Sequence, residues 1–252
     1  MRAGRNITIA LALLLAGGAN AAEIDALIST AVKAATDEIL PPFEKASGHK
    51  LNASYGPSGG LTRQFENGAV ADVIMVDSAA IDALIKQGAL LPGRTDFART
   101  GIGIAVKKGA PKPDVSTPEA LKRALLVAKS VGHTAPAGGG ITALHIQKMF
   151  ERLGIAAEVT PKVKLAAGGP SGRVSVLVSS GEAEIGLQQV SELMSNPDVE
   201  VIGMLPPELQ QITIYSAGIA ASAKQPDAAK AMIGALTAPS AQTIYKSKGL
   251  AF

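Results

Sequence analysis

Two four-residue loops carry the residues best suited to chemistry in this 252-residue chain. Gly56-Pro57-Ser58-Gly59 recurs 113 positions later as Gly169-Pro170-Ser171-Gly172, and Gly68, downstream of the first loop, has its counterpart Gly181 at the same offset. A loop of this kind leading into a helix offers a serine hydroxyl and a backbone that glycine lets approach a ligand. It also offers N–H groups at the positive end of a helix dipole, so the chemistry suits an anion. A serine in either loop alone serves equally well as a helix cap. Its presence in both halves favours two related lobes whose loops face one another across a ligand. Ser58, Gly59, Gly60, Ser171 and Gly172 are therefore candidate ligand contacts. A third loop, Ala137-Gly138-Gly139-Gly140, adds Gly138 and Gly139. It lacks the Lys-Ser or Lys-Thr of a P-loop and the acidic residue of a dinucleotide fingerprint.

Further polar candidates lie close to these loops. Arg173 follows Ser171 by two residues, where a guanidinium can pair with a carboxylate through two hydrogen bonds or simply face solvent. Gln188 and Gln189 end a predicted strand and both donate and accept, although paired glutamines also occur in ordinary loops. Arg63 and Arg99 are additional cations, with Arg63 expected on the outer face of its helix. His133, His145 and Tyr55 are the available bases, but each serves as readily as a structural residue, so no catalytic residue is assigned. Glu182 and Glu184 are expected in solvent. With no Cys, there are no disulfides, thiolate metal sites or Cys nucleophiles. His49, His133 and His145 are scattered, so neither a metal site nor a cofactor is expected.

The elements that must position these residues alternate short β-branched runs with amphipathic stretches, the pattern of an α/β fold. Strands are predicted at 24–28, 51–54, 73–76, 102–106 and 185–188, and helices at 30–40, 78–87, 117–129, 142–153, 227–236 and 240–246. Thr117-Pro118-Glu119 supplies an N-cap, a first-turn proline and a first-turn acid. Pro41-Pro42 is expected to end or kink the first helix.

Arg2 and Arg5, an apolar core over 7–16 and Ala19-Asn20-Ala21 read as a signal peptide spanning 1–21, which implies export to the periplasm. The apolar run is too short to span a bilayer, so stable membrane insertion is not expected. Without those two arginines the chain has 22 basic against 21 acidic residues, so its basic balance is not a nucleic-acid footprint. Three Tyr, five Phe and no Trp argue against a carbohydrate platform or a single-strand stacking surface.

The string GPSGGLTRQFENGAVADVIMVD over 56–77, with FEKASGHK upstream, resembles the periplasmic molybdate-binding proteins of ABC importers and their wider class of solute-binding proteins. The resemblance runs through Gly181-Glu182-Ala183 to the closing Lys-Gly segment. It implies a type II periplasmic binding fold, with two α/β lobes of mostly parallel sheet around a ligand cleft. Lobe one would comprise 22–98 plus 216–252 and lobe two 99–215, with crossings near 97–101 and 213–217. It also implies a monomer that holds a small anion and has an ABC permease as candidate partner. Molybdate binders place a serine at the start of their first helix, a serine in the glycine loop and a tyrosine after a later strand. The loop serine corresponds to Ser58, but the first position falls on Ala31, beside Thr30, and the tyrosine position on Gln189. Each missing donor to a desolvated oxyanion costs about 1–3 kcal/mol. The departures favour a larger organic polycarboxylate over molybdate. The class also includes the aconitate isomerases, enzymes of the same fold, so the resemblance leaves open a double-bond isomerase acting on the same kind of ligand.

Overall fold

The computed structural model describes residues 21–169 and 173–251; the leader up to residue 20, Ser171 and Gly172 lie outside the described residues. In chain order the elements are β1 (Glu23–Ser29), α1 (Lys33–Ser47), β2 (Lys50–Gly56), α2 (Ser58–Glu66), β3 (Val73–Asp77), α3 (Ser78–Lys86) and β4 (Thr95–Lys107). The second half holds α4 (Pro118–Val127), β5 (Val131–Thr134), α5 (Ala143–Arg152), α6 (Ala156–Val159), β6 (Val163–Ala166), α7 (Val174–Ser180), β7 (Ile185–Gln189) and α8 (Val190–Met194). It continues through β8 (Val199–Met204), β9 (Ile212–Ile219), α9 (Pro226–Thr237) and α10 (Pro239–Ser247).

The strands run in the order β2-β1-β3-β9-β4-β7-β5-β6, with β8 joined to β4. The outer pairs, β1 with β2 and β3 and β5 with β6 and β7, are parallel. The inner strands β9 and β4 are antiparallel to their neighbours. The 13-residue β4 pairs with β9 over 95–101 and with β7 and β8 beyond, so one continuous strand passes from one half of the molecule to the other.

Side-chain alternation assigns each half its cores. Ile24, Ile28, Val73 and Met75 turn to the face covered by α1, α9 and α10, while Leu27, Ile74 and Val76 turn to the face covered by α2 and α3. In the second half Ile102, Ile104, Ile185 and Leu187 form one core with α4 and α5, and Ala105 faces α7 and α8 on the other side. Helices cover both faces of both halves, as a two-lobe α/β fold requires.

The first helix departs from expectation. A short 3-10 turn over Thr30–Val32 leads into α1, which continues through Pro41 and Pro42 to Gly48, whose φ of 77° closes it. Proline removes the donor to the carbonyl four residues back, here those of Asp37 and Glu38. All four residues lie on the exposed face, where water can serve those carbonyls, while Ile39 and Leu40 keep the opposite face in the core. Thr117 caps α4 as expected, accepting from the Ala120 N–H at 3.1 Å.

Candidate anion-binding site

β1, α2, β5, β7 and β9 deliver polar side chains to one small cavity between the two halves. Ser29 ends β1 and accepts from the Ala31 N–H at 3.4 Å, which starts the 3-10 turn. Ser58, at the start of α2, donates its hydroxyl to Ser29 Oγ at 3.1 Å. Tyr215, from β9, lines the cavity beside the same Ser29 side chain. Ser29, Ser58 and Tyr215 are buried to 2%, 3% and 1% exposure, so the three hydroxyls form a desolvated row. Burial, with Glu192 and Asp77 nearby, holds the Tyr215 phenol well above its usual range, so it remains a neutral hydrogen-bonding group.

The opposite wall comes from the second half. Gln188 donates to Thr134 Oγ1 at 3.3 Å and accepts from the Val174 N–H at 3.2 Å. Gln189 donates to Thr213 Oγ1 at 2.9 Å, while its Oε1 is buried with no partner among the described residues. Thr142 and Glu192 complete that wall, and Thr30 Oγ1 reaches Glu192 Oε1 at 3.1 Å. The enclosed space is about 20 Å³, room for about one water molecule. A larger anion does not fit this space as it stands.

Two glycine loops shut it. The Gly59 N–H donates to the Gly139 carbonyl at 3.1 Å. A Cβ on Gly139, whose φ is +78°, would stand 2.4 Å from the Gly60 nitrogen and 2.8 Å from the Gly59 carbonyl carbon. Gly138 packs against Ala167 and Gly60. The loop directly facing Ser58 is thus the one at 137–140. Gly168, just ahead of the expected partner loop at 169–172, packs on Pro57, while Ser171 and Gly172 fall outside the described residues.

Other expected residues stand apart from the cavity. Arg173 donates to Ser195 Oγ at 2.7 Å and lines a neighbouring polar groove of about 330 Å³, together with Thr30, Lys33, Asp37 and Lys248. Arg63 is exposed and donates to the Ala137 carbonyl across the cleft at 3.3 Å. Exposed Arg99 pairs with Ala251 on the far side. His133 packs on Phe150, with burial lowering its basicity; His145 bonds the Leu209 carbonyl, and Tyr55 bonds Asp37. Glu182 and Glu184 are exposed. None of these eight lines the cavity. No cluster of three or more His, Cys, Asp or Glu suited to a metal ion occurs among the described residues.

Five polar residues of the cavity were not expected from the sequence: Thr134 and Thr142 on the second wall, and three more. A hydroxyl sought at Ala31 is supplied by Ser29, and the phenol absent at Gln189 by Tyr215, which arrives on β9. Glu192 is the third. It is 8% exposed, and burial pushes its pKa up to about 7 against the opposing pull of Thr30, Arg173 and Gln188.

Residues 24–251 match the family described as bacterial extracellular solute-binding protein. The aconitate isomerase of a Pseudomonas species is 32% identical over 220 residues, covering 84% of this chain and 81% of that protein. The molybdate-binding protein ModA of Azotobacter vinelandii is 30% identical over 243 residues, covering 94% and 92%. Among solved structures, the Azotobacter vinelandii periplasmic molybdate-binding protein superposes with a TM-score of 0.74 at 20% identity, over 91% of this chain and 99% of that one.

Proposed function

The chain belongs to the bacterial extracellular solute-binding proteins, and from that premise we propose that it captures a small organic polycarboxylate by closing two lobes on it. The lobes are 22–98 with 216–252, and 99–215, and the hinge is the paired stretch of β4 and β9. The observation that carries this reading is the buried hydroxyl row Tyr215, Ser29, Ser58 facing the Gln188–Thr134 and Gln189–Thr213 pairs across the cavity. A ligand with acidic groups at both ends replaces the contacts these walls make with each other on closure. Thr30, Ala31 and Gly60 frame the first lobe's side of the site, and Gly138 and Gly139 frame the second's. Arg173, Ser171 and Gly172 are assigned to its mouth. The apolar leader and its small-x-small site favour export to the periplasm. No helix among the described residues is long and apolar enough to cross a membrane. In this reading the closed monomer delivers its ligand to an ABC permease. A molybdate-like oxyanion is the alternative occupant, favoured by the ModA relative.

Thermal unfolding of residues 22–252 with molybdate, tungstate, phosphate, citrate and the two aconitates tests the ligand class. An anion at one hundred times its Kd adds about 2.7 kcal/mol, roughly 5–10 °C for a chain of this size. A rise with the tricarboxylates supports the proposal. A rise with molybdate or tungstate alone replaces it with an oxyanion receptor.

A second reading, in which the clamp also shifts a double bond in its ligand, is favoured by the aconitate isomerase relative and by the buried carboxyl of Glu192 in the cleft.

A further inference from the structure

We infer that Glu192 is the catalytic base of this cleft, carrying one proton between two carbons of an unsaturated polycarboxylate held by Ser29, Ser58, Tyr215 and Gln189. The inference rests on the polycarboxylate reading. Glu192 is the sole carboxyl lining the cavity among the described residues, and Tyr215 is the sole other titratable group there. Its helix is rigidly seated. α8 lies on β4 at Gly103, where a Cβ would stand 2.9 Å from Val190 Cγ2. The C-terminal segment closes on the same helix at Gly249, where a Cβ would meet Met194 Sδ at 2.6 Å and Val190 Cγ1 at 2.8 Å. Side chains at both positions would push α8 away, so the two glycines fix where Glu192 stands.

Its surroundings suit proton transfer. Thr30 donates to Oε1, Gln188 stands on the same wall, and the charge of Arg173, ahead of α7, acts on the carboxyl. Tyr215 on β9 faces it as a neutral phenol, and the groove on its outer side holds Lys33, Asp37 and Lys248. A carboxyl whose pKa is pushed up to about 7 is far more basic than one in solvent, and it titrates near neutral pH, where a general base works best.

The step is a 1,3-proton shift. The Glu192 carboxylate removes a proton from the methylene carbon that lies next to both a carboxylate and the C=C bond. The C–H electron pair forms the new double bond as the old π pair moves out into the conjugated carboxylate. The hydroxyls of Ser29, Ser58 and Tyr215 are the donors available to that developing charge. Glu192 then returns the proton to the former vinylic carbon, leaving the double bond one position along. Nothing is oxidised or reduced, and no proton is gained or lost overall.

The test follows trans-aconitate with residues 22–252 in D2O by proton NMR, with binding measured in parallel by thermal shift. The wild type is expected to interconvert the isomers and exchange the methylene protons. Glu192→Gln should still bind but lose about a hundredfold or more in rate. Thr30→Val serves if the first variant does not fold: loss of its hydrogen bond makes Glu192 more basic and moves the acidic limb of the rate profile to higher pH. Turnover at the wild-type rate in Glu192→Gln, or an unmoved limb in Thr30→Val, overturns the assignment. Binding of aconitate with neither interconversion nor exchange overturns it while leaving the polycarboxylate receptor intact. Failure to bind aconitate or citrate removes the polycarboxylate reading itself, and the assignment with it.

Discussion

The Thr30 hydroxyl donates to Glu192 Oε1 at 3.1 Å, joining residues 162 apart in sequence. Thr30 opens the turn after β1 and Glu192 lies in α8, so this one bond ties the first lobe's helix start to the second lobe's cavity wall. A carboxyl held there answers to both lobes, and its protonation state bears on stability as well as on chemistry.

Glu192 lowers stability as pH rises. Its folded pKa is pushed up to about 7 from the ordinary 4.5, so between these values the folded chain holds a proton that the unfolded chain has released. Relative to Glu192→Gln, the wild type should lose on the order of 3 kcal/mol between pH 4.5 and 7, and little more above that. Arg173, Tyr215, Gln188 and the hydroxyl of Thr30 are the groups that act on this carboxyl, and they are common to both proteins. Urea unfolding of the pair at pH 5 and pH 8 measures the difference; a gap independent of pH would contradict the account.

Gly139→Ala should prevent closure. The added methyl would meet the Gly59–Gly60 backbone at a residue whose φ is already +78°. Solution scattering is expected to show the variant remaining extended on addition of ligand, while the wild type compacts. Unchanged compaction would show that the glycine contact is incidental.

Gly186→Ala should destabilise by about 1–3 kcal/mol, because its Cβ would stand 2.5 Å from Val178 Cγ2 and 2.9 Å from Val174 Cγ1. The variant presses on α7, which must lie close to the sheet for Gln188 to reach the Val174 N–H. Chemical denaturation reads the loss directly.

Much of this architecture was legible from pattern. β1, β3, α3, α4, α5, α9 and α10 sit within a few residues of their predicted spans, because each has strong periodicity or a cap such as Thr117. The four-residue α6 and five-residue α8 are too short to show a helical period, and β6 is an edge strand with Lys164 and Leu165 exposed. Pro41-Pro42 did not end the first helix, because their tolerance depends on which face meets water, a tertiary property. At the site, the Ser58 loop carried its own signal in glycine spacing. Ser29, Tyr215 and Glu192 carried none: a serine at a strand end, a tyrosine in a crossing strand and an acid in a short helix become one constellation only when β1, β9 and α8 meet.

The most direct test of the cleft is calorimetric titration of residues 22–252 with whichever anion gives the largest thermal shift, comparing wild type with Ser58→Ala and Gln189→Leu. These residues stand on opposite walls of one cavity, so each substitution should weaken binding by about 1 kcal/mol or more, at least fivefold in Kd. Wild-type affinity in both variants would place the anion somewhere other than between these walls.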